Sequence, residues 1–174
     1  MKEKNKKAFT LIELLIVIAI IGVLASTVLI NTNGARKRAK DAKRIIEVSQ
    51  IQSALEMYYA QYGRYPDSDM AGCGNWDVGN IDSPFIPLLE SFLGKPLPRD
   101  MTKSGNCDGY FYYRYNEWNS THYGCSGTPF YVLGATLDGS SHGVNVTSDS
   151  QSPGWSCANR DWQQEMGWVT GKYE

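Results

Sequence analysis

Apolar and polar positions fall into three successive patterns along this chain. From Phe9 to Ile30 almost every residue is apolar, and Glu13 is the one charge inside the run. A helix over that run rises about 1.5 Å per residue and spans roughly 33 Å, close to the hydrocarbon thickness of a bilayer. From Ala35 the pattern becomes amphipathic. Ile45, Val48, Ile51, Leu55, Tyr58 and Tyr62 recur at three- and four-residue steps. This predicts a helix over 35–62 with one apolar face turned to a core. Gly63, Arg64 and Pro66 end it. Asn31, Thr32, Asn33 and Gly34 are poor helix formers, Gly34 by about 1 kcal/mol relative to Ala. They mark the place where the helix is expected to bend or unwind on assembly.

The third pattern is short and mixed. "DSDMAGCGNWDVGN" is rich in turn formers and reads as a loop. "SPFIPLLESFLGKPLP" predicts a short helix over Ile86–Leu93 and then a turn. "GYFYYRY" and "PFYVLGATLDG" are dense in aromatic and β-branched residues and read as strands, with an edge strand over Trp168–Tyr173. A long helix followed by a small antiparallel sheet is an α+β layout. The sheet would cover the apolar stripe of the helix.

Charge changes this picture in one respect. The 174 residues carry a formal charge of only -1, so no global field draws nucleic acid or an acidic polymer. The distribution, however, is uneven. Lys2, Lys4, Lys6 and Lys7 precede the apolar run, and Arg36, Lys37, Arg38, Lys40, Lys43 and Arg44 follow it. The leading lysines predict a cytoplasmic tail and an exported C-terminal domain. The second basic group opposes that orientation, so the segment has a destination beyond simple anchoring. The group reads first as a solvated helix face, and next as a contact with acids of a neighbouring subunit. Asp41 and Glu47 weaken a third reading, DNA binding, and nucleic acid is not an expected partner. An ordinary signal peptide cut near Ala25 is the competing reading of the apolar run itself.

Candidate chemistry is sparse. Cys73, Cys107, Cys125 and Cys157 all lie in the polar part, and none forms a CxxC pair. Behind an export-type segment they are candidate disulfides, with all three pairings open. The only histidines are His122 and His142, and there is no Ser-His-Asp, HExxH or Gly-rich phosphate pattern, so no enzyme is expected. In "LDGSSHGVNVTSD", Asp138, Ser140 and Asp149 fall at ligand positions of a calcium-loop template. His142 is a poor calcium ligand, and a solvated turn competes. Calcium is the sole candidate cofactor.

"KKAFTLIELLIVIAIIGVLA" resembles the prepilin signal of the type IV pilins and of the pseudopilins of type II secretion. Lys6 and Lys7 stand for the basic leader, Ala8 for the small residue before the cut, and Phe9, Thr10, Leu11, Ile12 and Glu13 for the start of the mature helix. The family usually has Gly where this chain has Ala8. The resemblance implies a type IV pilin-like fold, with a leader over 1–8, a membrane and filament-core helix over 9–34, and a globular domain over 35–174. It implies cleavage between Ala8 and Phe9 by prepilin peptidase and N-methylation of Phe9. Glu13 would pair with the terminal amine of a neighbouring subunit during growth. The partners implied are membrane lipid, the peptidase, an inner-membrane assembly platform and further copies of the chain. The place implied is the inner membrane, then an extracellular or periplasm-spanning filament. The expected function is a pilus subunit. The alternatives are a major pseudopilin, a class that often holds calcium in the loop after this strand, and a membrane-tethered binding module that never polymerises.

Overall fold

The computed structural model describes residues 9–139 and 152–174. The chain forms two compact units, Met1–Arg38 and Ala39–Glu174. Helix α1, Leu11–Tyr62, contributes to both. It is helical through Asn31–Gly34, the stretch expected to be weakest. Gly63 closes it with a left-handed φ of 68° and donates its N–H to the Tyr59 carbonyl at 2.8 Å. A side chain would be strained there.

In the second unit the sheet runs β1 (Asp77–Gly79), β2 (Tyr110–Tyr115), β3 (Phe130–Ala135), β6 (Trp168–Tyr173), and every pairing is antiparallel. Helix α2 spans Pro87–Leu93. A small hairpin of β4 (Ser156–Cys157) and β5 (Arg160–Asp161) leads into a single helical turn, α3 (Trp162–Glu165). The expected α+β architecture, a long N-terminal helix on a small antiparallel sheet, is the one observed.

The helix stripe buries Val48, Ile51, Ala54, Leu55 and Tyr58 against Tyr110, Tyr112, Tyr131 and Leu133, the alternate residues of β2 and β3. Full burial of each aliphatic side chain is worth about 1.5–3 kcal/mol. Tyr62 departs from the expected stripe. It is exposed at the helix end, tilted against Tyr58 and edge-to-face with Phe92 at the rim of the core.

Two further expectations are corrected. The segment read as a loop contains β1, which is buried throughout and pairs with Tyr110–Tyr112. The short helix starts one residue later, because Ile86 sits before Pro87 with a φ of 48° and its side chain fully buried. The opposite sheet face carries a second core of Trp76, Val78, Tyr115, Phe130, Val132, Trp162 and Val169. Gly134 and Gly171 permit this layer, since a Cβ there would collide with Met166 and with the Trp155 ring.

Candidate functional site

Helix α1 begins at a reciprocal cap. Thr10 donates its backbone N–H and its hydroxyl to Glu13 Oε2, both at 2.8 Å, and Glu13 N–H donates to Thr10 Oγ1 at 3.3 Å. This is a capping box, which satisfies two of the donors left over at a helix start. The T-x-x-E spacing in the sequence is its signature, and the sequence reading above assigned Glu13 only a contact between subunits. Both side-chain bonds use Oε2; among the described residues Oε1 accepts none.

Around that cap the helix presents apolar side chains in all directions. Phe9 is 85% exposed, and Leu11, Ile12, Leu14, Leu15, Ile16, Val17, Ile18, Ile20, Ile21, Val23 and Leu24 are all exposed. An apolar surface of this extent marks a contact with lipid or protein. Among the described residues no helical stretch is long and apolar enough to cross a membrane. The described apolar side chains run from Phe9 to Ala25, and the sequence continues apolar through Val28, Leu29 and Ile30. Ala8, on the leader side of the expected cut, lies outside the described residues.

The second unit carries its chemistry as cross-links. Cys73 bonds to Cys107 and Cys125 to Cys157, which selects one of the three possible pairings. The first bond joins the segment before β1 to the turn before β2. The second ties the β2–β3 connection to β4.

Arg44 is the main correction to the basic group. Instead of facing solvent it is 3% exposed. It donates to Asp100 Oδ2 at 2.6 Å, to Asp41 Oδ1 at 2.7 Å and to Thr102 Oγ1 at 3.0 Å. Asp41 in turn accepts the backbone N–H groups of Asp138 and Gly139 at 2.8 and 2.9 Å. Burial alone would raise the Asp100 carboxyl; hydrogen bonds from Thr102 and Arg44 outweigh it and hold it below the usual range. A position in the helical register, not the local charge run, decides that Arg44 turns inward.

Of the three candidate calcium ligands, only Asp138 lies among the described residues; Ser140 and Asp149 lie outside them. Asp138 Oδ1 stands 3.2 Å from both Arg44 Nη1 and Lys103 Nζ. Burial pushes its carboxyl up, but Lys103 and Arg44 pull it down further, and the net direction is down. Among the described residues no group of three or more metal-ligating side chains forms.

Two buried groups escaped the sequence reading. Arg114 on β2 pairs with Glu174 and Asp67, each at 2.7 Å. Asp77 on β1 is fully buried and accepts the Asp69 N–H at 2.5 Å, while its Oδ2 has no hydrogen-bond partner among the described residues. Burial first, then the nearby Asp69 carboxylate, pushes its pKa up to about 8. Neither pattern is periodic, so no local signal in the chain points to either.

Comparison with known proteins adds to this geometry. Residues 4–29 match the family model of the prokaryotic N-terminal methylation motif. The chain is 39% identical over 106 residues to type II secretion system core protein G of Pectobacterium carotovorum subsp. carotovorum, covering 61% of this chain and 57% of that protein. It is 38% identical over 106 residues to core protein G of Escherichia coli (strain K12), covering 61% of each. It is 40% identical over 67 residues to the type IV major pilin protein PilE1 of Neisseria gonorrhoeae, covering 38% of this chain and 31% of that one. The chain thus spans about three-fifths of the length of these two core G proteins. No solved structure matches it.

Proposed function

We propose that this chain, a member of the type IV pilin and type II secretion pseudopilin family by its N-terminal methylation motif, is a structural subunit held in the membrane by its apolar helix and then polymerised through it. One observation carries the reading. Among the described residues the apolar side chains at the start of α1 are uncovered on every side, and they begin at a polar cap in which Glu13 Oε1 accepts no hydrogen bond. Lipid covers such a surface first, and copies of the same helix cover it later.

The proposed sequence of events follows from charge. Cleavage between Ala8 and Phe9 by prepilin peptidase removes Lys2, Lys4, Lys6 and Lys7, the charges that fix the tail on the cytoplasmic side. The new amine, methylated on Phe9, is a cation at the edge of an apolar bundle. Glu13 of an adjacent copy meets it through Oε1 while Oε2 stays in the Thr10 box. A carboxylate unpaired in that setting is heavily penalised, so pairing selects the axial register between subunits. An assembly platform in the inner membrane and a filament that leaves it belong to this reading. The subunit performs no chemistry itself. A calcium ion held by Asp138, Ser140 and Asp149 stays a separate proposal for the loop after β3.

A secretion pseudopilus and a type IV pilus are both filaments of this kind. Two of the matches to core protein G, at 106 residues, reach past the helix into the globular domain, which supports the pseudopilus; others span 66–69 residues, as the 67-residue match to the pilin does. The test is intact mass and N-terminal sequencing of material sheared from cells. Filaments built from a chain that starts at methylated Phe9 are the expected result. A chain that starts at Met1 and stays in the membrane points to a tether, and fibres lacking this polypeptide overturn the proposal.

A further inference from the structure

The basic residues that follow the apolar run are left unused by assembly through Glu13. Arg36, Lys37 and Arg38 are consecutive and exposed. No acidic residue lies between Glu13 and Asp41. Lys43 and Arg44, further along, are ion-paired within the second unit; none of the ion pairs among the described residues includes Arg36, Lys37 or Arg38. Successive helical residues point about 100° apart, so these three form a collar around more than half of the helix, not a stripe along it. A single neighbouring protein meets one side of a helix. A membrane surface surrounds it.

Height agrees with direction. With Ile30 at the hydrocarbon edge, Arg36 to Arg38 stand about 9–12 Å beyond it. The headgroup zone on each side is roughly 5–8 Å deep. Helical side chains lean toward the N-terminus, here toward the membrane, and long cationic ones snorkel to phosphate depth. Arg38 does lean that way: its Nη2 lies 3.7 Å from where a Cβ on Gly34 would stand, one turn back along the helix.

We infer that Arg36, Lys37 and Arg38 bind the phosphates of anionic phospholipid on the exported face of the membrane, holding the unassembled subunit at a fixed depth. This rests on the membrane-held state proposed above. It also gives a physical use to the positive charge that opposes the orientation rule.

The test reconstitutes the full chain in vesicles of phosphatidylcholine alone and of phosphatidylcholine with phosphatidylglycerol. Electron spin resonance then reads the motionally restricted fraction of spin-labelled phosphatidylglycerol and phosphatidylcholine. The expected result is a preference for the anionic lipid that weakens with salt and falls by about twofold or more in R36Q/K37Q/R38Q. The variant K2Q/K4Q/K6Q/K7Q, which strips the opposite face, keeps the part that the triple substitution removes. An inserted chain whose lipid preference ignores the triple substitution overturns the inference. So does a triple variant that loses only cross-links between copies in sheared filaments, which would make the collar a protein contact. Absence of any restricted lipid, with either label, means that the chain is not inserted, and then the membrane-held state fails together with the collar.

Discussion

The residues before and after Arg38 solve opposite problems with the same alphabet. In Met1–Arg38 the described apolar side chains face outward, the helix start is tied by the Thr10–Glu13 box, and no disulfide is present among the described residues. In Ala39–Glu174 the apolar side chains form two cores, two disulfides cross-link the loops, and buried arginines gather carboxylates from distant segments. The second unit draws its stability from within. The described apolar side chains of the first are left exposed, so on the reading proposed above lipid or other copies of the helix must cover them.

The sharpest way to break that contrast is to change Glu13. Glu13→Gln keeps a side chain that completes the capping box but removes the charge. We expect sheared filament to fall by about tenfold or more while the thermal melt of the globular domain stays in place. Normal filament yield from Glu13→Gln would reduce the residue to a helix cap.

The next effect is confined to the second unit. The disulfides close loops with sequence separations of 34 and 32 residues. Replacing either pair with serines is expected to cost about 3–4 kcal/mol, read from the urea midpoint with and without reductant. The expectation fails if reductant leaves the wild-type midpoint unmoved.

Asp100→Ala comes third. It removes one of three carboxylates around the buried Arg44 guanidinium, leaving Asp41 and Asp138 to hold the charge, with a cost of about 2 kcal/mol for the lost charged hydrogen bond. In the double variant with Arg44→Met the two losses should not add, because both substitutions remove the same Arg44–Asp100 interaction. Additive losses would show that the pair does not act as a unit.

The last expected effect is a pH dependence. The Asp77 carboxyl titrates near 8 when folded, against an ordinary value of 3.8. The folded state therefore binds this proton more tightly, and the contribution is present below about pH 4 and is lost as pH rises toward 8. Asp77→Asn, which mimics the neutral carboxyl, should flatten stability over that window and stabilise the chain at its upper end. An unchanged slope in chemical denaturation would show that Asp77 is ionised throughout.

What the sequence determined by itself is whatever repeats at the period of a backbone. The apolar run, the stripe from Val48 to Tyr58, the closure at Gly63 and the aromatic strands β2, β3 and β6 are all set by neighbours a few residues apart. The N-terminal methylation motif matched by residues 4–29 is local in the same way, which is why it is legible in the sequence alone. The tertiary structure alone decided which cysteines meet, that the brief β1 pairs with Tyr110–Tyr112, that Arg44 faces Asp100 across 56 residues, and that Asp138 lies against Lys103 and Arg44. It also decided that the sheet is covered on both faces, with Gly134 and Gly171 leaving room for the second layer. The physical reason is common to all of these. A buried charge, a thiol or a three-residue strand takes its partner from whatever the completed chain brings within a few ångströms, and no short-range periodicity carries that information.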